Sequence, residues 1–596
     1  MGYGGKGMIR DLRSGRGEVQ LHSQQQLQLE PCGRLAPINF RRTASQCLLL
    51  WLGLLLSIIV ARPCAAQGTG ASVNESAVSL YLYVNPVSGN DGSSGTSSSP
   101  LKTINRAISL AGSNRYGGTR IWLNDGLYRE SISLKSWSET SATAPLIIQA
   151  IHPGNSVITG SDQWSGWVSS GGGTYTHVWP YSWGYTAPPS GWPLPSTSKC
   201  PGSLGCIAER REMIFVNGVS LTQKLTGSLT TPGTFSVVDG GSITIWPPTG
   251  TTMSSAKVEV ATRSGLLRAP YGIVNLVIRG IVFEHDNTVL NGIGNSAVTI
   301  SGKNLLVDGC QFLWNNFVGL DILSAQNVTV KNSKAKYSGE NGYTMWQVRN
   351  LLFSSSEASY NNWRSSAAGF MGFDVDGLKG THVHYATFSN YTAIANRAGG
   401  LWFDTDNENI LITNSLFARN VTNGLFIEIS QGPITVQNSV SCNNQLNGMQ
   451  SANSTQVTLT NNTLYGNAKK SLFFGGNNTP VAVTNYETGQ TYSLYLQDWT
   501  MLNNYFIGTL STQFVMDVSL STAWPRFTNS LSSNKNDWYV AGNSRPFAVP
   551  GGYQSLSQWQ SNTGQDADSW SSSSHPSLPT ACSTSTPAAA SGMTKE

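Results

Sequence analysis

Asn409–Ser441 reads NILITNSLFARNVTNGLFIEISQGPITVQNSVS, and its two ends, NILITNSLF and PITVQNSVS, are one pattern repeated 24 residues apart. In each, an aliphatic strand runs into an Asn-led turn and a second short apolar stretch. The pattern recurs upstream as NLVIRGIVF, NLLVDGCQF, NVTVKNSKA, NLLFSSSEA and THVHYATF, and downstream as QVTLTNNTL and DWTMLNNYF. Its equivalent positions read as Ile278, Val307, Val330, Phe353, Val383, Ile412, Val436, Leu459 and Met501, spaced 29, 23, 23, 30, 29, 24, 23 and 42 residues apart. A period in the low twenties, lengthened by loop insertions, marks a solenoid whose every turn makes three short parallel strands.

Composition agrees. With 62 Gly among 596 residues and only 12% charged side chains, the chain reads as a rigid all-β protein. Residues 78–111 supply a strand, a Gly/Ser loop (SGNDGSSG) and an amphipathic segment led by Pro100, with Leu101, Ile104 and Ala107 on one face. This opening resembles that of right-handed parallel β-helix proteins of the pectate-lyase-like kind, in which a short helix caps the open end of the coil and covers its unpaired backbone groups. Between Gln163 and Ala269 the rhythm gives way to Trp, Gly and Pro with alternating strands, the pattern of an inserted β-sandwich. The expected divisions are a leader over 1–66, cap and first coils over 67–162, the insert over 163–269, the main coils over 270–510, and a coil remnant with a Ser/Thr-rich tail over 511–596. Register is expected to fail after about Ser511, and residues from Ser569 onward resemble a disordered end.

The leader carries eight Lys/Arg against three acids, so the net charge of +5 resides there and the rest of the chain is neutral. A neutral chain without basic clusters offers no electrostatic footprint for nucleic acid or an anionic membrane. The apolar run Cys47–Val60 after Arg41 and Arg42 reads as a signal peptide cleaved near Ala66, with a signal anchor as the alternative; no other membrane association is expected. Five cysteines follow. Cys200 and Cys206 flank PGSLG and suggest a disulfide in a secreted chain, whereas Cys310 and Cys442 sit at strand positions and read as small buried hydrophobes.

Stacking the rungs from Gly319, Gly342, Phe370, Gly400, Gly424, Gly448 and Ser471 puts Leu323, Trp346, Asp374, Asp404, Glu428, Ala452 and Gly475 in one column at the fifth position. Within GLWFD and GLFIE, alternation sends Leu401, Phe403, Leu425 and Ile427 to the core, and Trp402, Asp404, Phe426 and Glu428 to the opposite face. Adjacent parallel strands are about 4.8 Å apart, so Asp404 and Glu428 are expected at the roughly 5 Å carboxyl separation of a retaining glycosidase. The more apolar surroundings of Glu428 should raise its pKa and suit it to acid/base work, with Asp404 as nucleophile. Asp374 is expected to bind sugar hydroxyls, and Trp402, Phe426 and Trp346 to offer stacking surfaces or simply pack between rungs.

GLWFDTDN followed by LFIEISQGPITVQNS resembles the catalytic pair of the β-helix β-xylosidases, glycoside hydrolase family 120. The resemblance spans roughly residues 80–510 and implies a retaining hydrolase with an inserted β-sandwich, the nucleophile at Asp404 and the acid/base at Glu428. It implies an oligo- or polysaccharide substrate and no cofactor. Thr405-Asp406-Asn407 has no clear counterpart in the family pattern.

Two other classes fit parts of the sequence. FDVDG and FDTDN place Asp374, Asp376, Asp404 and Asp406 as a square of oxygens suited to calcium, as in β-helix polysaccharide lyases, with Lys379, Arg364 or Arg397 as base against a uronic acid. Alternatively, the aromatic and acidic groove binds glycans without cleaving them. His382 and His384 share a face and read as surface residues. Arg210, Arg211 and Glu212 read as an exposed loop of the insert overhanging the groove, or as a local ion pair.

Overall fold

The computed structural model describes residues 67–134, 144–186, 206–269, 271–289 and 295–583. The expected leader, its cleavage point and Cys200 lie outside them.

Inward-facing aliphatic residues set the architecture. Ile278, Val307, Val330, Phe353, Phe388, Ile412, Val436, Leu459 and Met501 stack rung on rung in parallel register. Eight of these positions are those read from the repeat. In the remaining rung Phe388 takes the place expected of Val383, because a short helix α1 (Trp363–Ala367) and the loop after it lengthen that turn. The short strands that close the turns form a second, twelve-stranded sheet from Gly126–Tyr128 to Asp537–Val540. Between the sheets runs a continuous apolar core, with Phe283 stacked on Phe312 at 5.6 Å.

The Asn-rich turns of the repeat have a hydrogen-bonding cause. Asn361, Asn396, Asn420, Asn444 and Asn467 are buried, and each of the first four donates through Nδ2 to Oδ1 of the next at 2.9–3.0 Å. Such a ladder satisfies polar groups that a dry interior would otherwise penalise.

The coil face that carries the site is built from β1 (Tyr343–Ser354), β2 (Asp376–Ser389), β3 (Gly399–Asp404), β4 (Glu408–Thr413) and β5 (Leu425–Glu428). β3 and β4 are two faces of one rung, separated by the bend at Thr405 and Asp406. The 42-residue interval before Met501 contains an antiparallel hairpin, β6 (Val481–Thr484) and β7 (Thr491–Leu494).

From Ser161 to Ala261 the chain leaves the coil and makes one antiparallel and one mixed sheet around a core of Trp179, Ile214, Val216, Phe235, Ile243, Ile245, Val258 and Val260. Arg210 and Glu212 are buried rather than exposed. Arg210 Nε donates to Glu212 Oε2 at 3.0 Å, and Arg364 donates to the Glu212 carbonyl at 2.6 Å, tying the insert to α1. Arg211, also drawn inward, donates to Asn287 at 3.1 Å.

The C-terminal part departs from expectation. Parallel pairing continues past Ser511, from Thr500–Leu502 to Ser532–Asn534 and from Met516–Asp517 to Phe547–Ala548. A helix at Leu556–Thr563 then buries Trp559 against the last coil, where Asp566 accepts from the indoles of Trp538 and Trp559. Beyond Ser569 the chain returns along the coil, and Cys582 forms a disulfide with Cys442, which is therefore not the free hydrophobe expected. Cys310 is free and buried. Cys206 is disulfide-bonded, and the pairing expected with Cys200 lies outside the described residues.

Candidate active site

Register decides which outward side chains meet. The column runs Leu323, Trp346, Thr381, Asp404, Glu428, Ala452, Gly475. Asp404 and Glu428 thus occupy paired positions on neighbouring strands, as the repeat predicts. Thr381 stands where counting from Phe370 puts Asp374. β2 begins at Asp376, paired with Gly399, so Gly377-Leu378-Lys379-Gly380-Thr381 aligns with Gly400-Leu401-Trp402-Phe403-Asp404. The repeated Gly-Leu step was the signal that would have set this rung correctly.

Asp374 nevertheless reaches the site. It lies in the loop before β2 in a left-handed conformation (φ 61°), and Lys379 Nζ bridges Asp374 Oδ1 (2.7 Å) and Asp404 Oδ2 (2.9 Å). The Lys379 ammonium also sits 3.5 Å above the Trp402 ring, a cation–π contact that fixes the indole. Trp402 in turn stacks on Phe426 at 5.1 Å and donates from Nε1 to Glu428 Oε2 at 3.1 Å. Trp402 and Phe426 are therefore packed on each other, and Trp402 is buried. Trp346 lies edge-on to His382 at 4.7 Å, at one end of the column.

The two carboxylates differ electrostatically. Asp404 is ion-paired with Lys379 and accepts from Thr405 Oγ1 at 2.9 Å. Among the described residues Glu428 makes no ion pair, whereas Asp404 pairs with Lys379. Burial and the neighbouring Asp404 charge push it up to about 7, against the opposing influence of Lys379 and the Trp402 indole. One acid is thus held beside a cation while the other keeps its proton near neutrality.

The calcium square does not assemble. Asp374 and Asp404 share Lys379; Asp376 is buried, with burial pushing its carboxyl well above the usual range; and Asp406 is engaged by His382 and His384. Among the described residues no group of three or more His, Cys, Asp or Glu is arranged to hold a metal ion. Lys379 is a poor base, because the charges of Asp374 and Asp404 outweigh burial and raise its pKa, keeping it charged. Arg364 is committed to Glu212 and Gln223 and sits in the interface with the insert. Arg397 is half-buried on the turn after the next short strand. His382 and His384 are not surface residues: side-chain exposure is 15% and 0%, and both contact Asp406. Glu340 is a buried acid that the sequence pattern does not mark; burial and the charge of Asp374 push its carboxyl well above the usual range.

Comparison with known proteins accords with this fold. The family profile described as right handed beta helix region matches residues 279–428 and 365–488, and that of a protein of unknown function (DUF1565) matches residues 87–140. The structure of XylC in complex with xylose superposes with a TM-score of 0.62 at 15% identity, over 84% of this chain and 87% of that one. The chain is a right-handed parallel β-helix. Other solved structures match less well: the A-module of the Azotobacter vinelandii mannuronan C-5 epimerase AlgE6 (TM-score 0.46, 13% identity, 80% and 94% of the two chains) and pectate lyase Pel9A (0.36, 14%, 80% and 83%). No curated protein matches the chain. No helix among the described residues is long and apolar enough to cross a membrane.

Proposed function

We propose that this β-helix is a retaining glycoside hydrolase acting on glycans derived from plant or microbial polysaccharides, with β-xylosides as its substrate class. The observation that carries the proposal is the asymmetric pair on adjacent rungs: Asp404 beside Lys379, and Glu428 protonated near neutrality. Asp404 attacks the anomeric carbon while Glu428 donates its proton to the leaving oxygen. Glu428, now a carboxylate, then deprotonates the water that releases the sugar and regenerates both groups. The likeness to a structure holding xylose supports the choice of sugar, and in this reading the Asp374 carboxylate, paired with Lys379, accepts from sugar hydroxyls.

Secretion is part of the proposal. The Cys442–Cys582 bridge joins strands to a distant tail, and such bridges persist in oxidising compartments.

Assay on aryl glycosides tests the function. Wild-type turnover of an aryl β-xyloside, abolished in Asp404→Asn and reduced in Glu428→Gln with sugar binding intact, is the expected result. Binding without any wild-type turnover would favour a non-catalytic glycan-binding protein, and a chelator-sensitive rise in ultraviolet absorbance on polyuronates would favour a lyase.

A further inference from the structure

Asp406 lies two residues beyond Asp404, and the step between the two coil faces is made by consecutive left-handed residues, Thr405 (φ 57°) and Asp406 (φ 59°). Side chains with a Cβ resist this conformation, so it persists only where its surroundings impose it. Here the backbone is held first: Thr405 N donates to Glu428 O (3.1 Å), Asp406 N to Ile429 O (3.0 Å), and His382 N to Thr405 O (3.0 Å).

The Asp406 carboxylate, fully buried, supplies the rest. His382 Nδ1 lies 2.8 Å from Oδ2, Gln431 Nε2 donates to Oδ1 at 2.6 Å, and the backbone N–H of Tyr486, at the tip of the β6–β7 hairpin, donates to Oδ2 at 2.9 Å. His384 Nε2 lies 3.1 Å from the Asp406 carbonyl and 3.2 Å from Oδ1. On its other side His384 Nδ1 has Glu487 Oε1 at 3.3 Å and Glu408 Oε1 at 3.7 Å, ion-pair distances outside hydrogen-bond geometry. Glu487 is also paired with Arg349 at 2.9 Å and accepts from the Tyr486 phenol; Glu408 accepts from Asn485 at 3.1 Å, and Tyr492 faces both Glu408 and Asp406. The Tyr486 ring covers His384 at 4.5 Å, and His382 abuts Trp346 at the end of the acid column.

Three carboxylates thus converge on two imidazoles exactly where one rung turns after Asp404 and where the hairpin reaches the coil. We infer that Asp406 is a positioning residue for the proposed reaction: with His382, His384 and the hairpin tip it clamps the left-handed turn that aims Asp404. The catalytic part of this inference rests on the hydrolase proposal; the clamp does not.

Burial opposes a charged His384, yet the hydrogen bond and charge of Asp406, together with Glu408 and Glu487, outweigh it and raise its pKa. Clamping is therefore complete below the ordinary histidine pKa and lost as pH rises through the raised one. For Asp406, burial is outweighed by the bonds from His382, His384, Gln431 and Tyr486, which depress its pKa, so its contribution is lost only in strong acid.

Hydrogen exchange at the Tyr486 amide, measured without substrate across this range, reads the clamp directly. Protection should fall with rising pH, beyond the intrinsic pH dependence of exchange, by about tenfold for each unit by which the clamp raises the His384 pKa. Asp406→Asn should lose that protection at every pH and lower kcat roughly a hundredfold on an aryl β-xyloside, the scale of a misplaced reacting group, with KM little changed. Asp406→Glu should restore part of both. A Tyr486 protection independent of pH, or an Asp406→Asn enzyme with wild-type kcat, would overturn the inference. If Asp406→Asn does not fold, the wild-type exchange profile still decides the clamp. If the wild-type protein hydrolyses no glycoside, the hydrolase proposal fails while the exchange experiment stands.

Discussion

β5 and the strand Asn447–Ala452 are successive rungs paired residue for residue, Leu425 to Met449, Phe426 to Gln450, Ile427 to Ser451 and Glu428 to Ala452. Inward, both put an apolar residue against the core at the first of these positions, and the backbone is the same. Outward, one carries an aromatic and an acid, and the other an amide and a methyl. The coil rests on its inward column and its turn ladder; the outward column is free to differ, and the proposed chemistry uses the two rungs that carry Asp404 and Glu428. Rungs on either side serve as internal controls.

The largest effect expected along this comparison is catalytic. Glu428→Gln should lose about 10²–10⁴-fold in kcat on substrates with poor leaving groups, while Ala452→Ser, one rung on, should leave kcat unchanged. In the wild-type enzyme kcat/KM should decline as pH rises past about 7, because Glu428 must be protonated to act as the acid. The same raised pKa has a stability consequence with the same sign: the folded state gains from protonated Glu428 at low pH and loses that gain as pH rises through about 7, so Glu428→Gln should flatten the pH dependence of the denaturation midpoint.

Next in size is the ion pair. Lys379 is 7% exposed and serves two carboxylates, so Lys379→Met leaves them without their cation and should cost about 3–5 kcal/mol in denaturant unfolding. Ile427 is fully buried, and Ile427→Ala should cost about 2–5 kcal/mol by loss of burial and cavity formation. Its neighbour Ser451 is buried with no hydrogen-bond partner for its hydroxyl; Ser451→Ala should therefore be neutral or stabilising by up to about 1 kcal/mol. A comparable loss at both positions would mean that the two rungs do not share one core.

The same contrast explains what was legible in the sequence. Inward positions repeat with a period, so the coil and the pairing of Asp404 with Glu428 followed from counting. Insertions break counting: the helix at Trp363–Ala367 shifted one rung, and with it Val383 was taken for Phe388 and Asp374 for Thr381. Contacts made between loops and the coil have no period at all. The bond from Arg364 to the Glu212 carbonyl, the Cys442–Cys582 bridge and the Tyr486 amide on Asp406 each join segments whose separation reflects where the chain returns, not how it repeats, whereas the contacts of Lys379 with Asp404 and of His382 and His384 with Asp406 span one rung but depend on outward side chains, which do not repeat. The C-terminal coils kept their pairing although polar residues such as Ser532–Asn534 hide the apolar alternation.

The most direct test of the paired acids is to trap the covalent intermediate. Treating the enzyme with an aryl β-xyloside fluorinated beside the anomeric carbon, followed by peptide mass spectrometry, should give one glycosylated peptide with the sugar on Asp404. Attachment to another residue, or hydrolysis of ordinary aryl xylosides with inversion of the anomeric centre, would contradict a retaining pair built from Asp404 and Glu428.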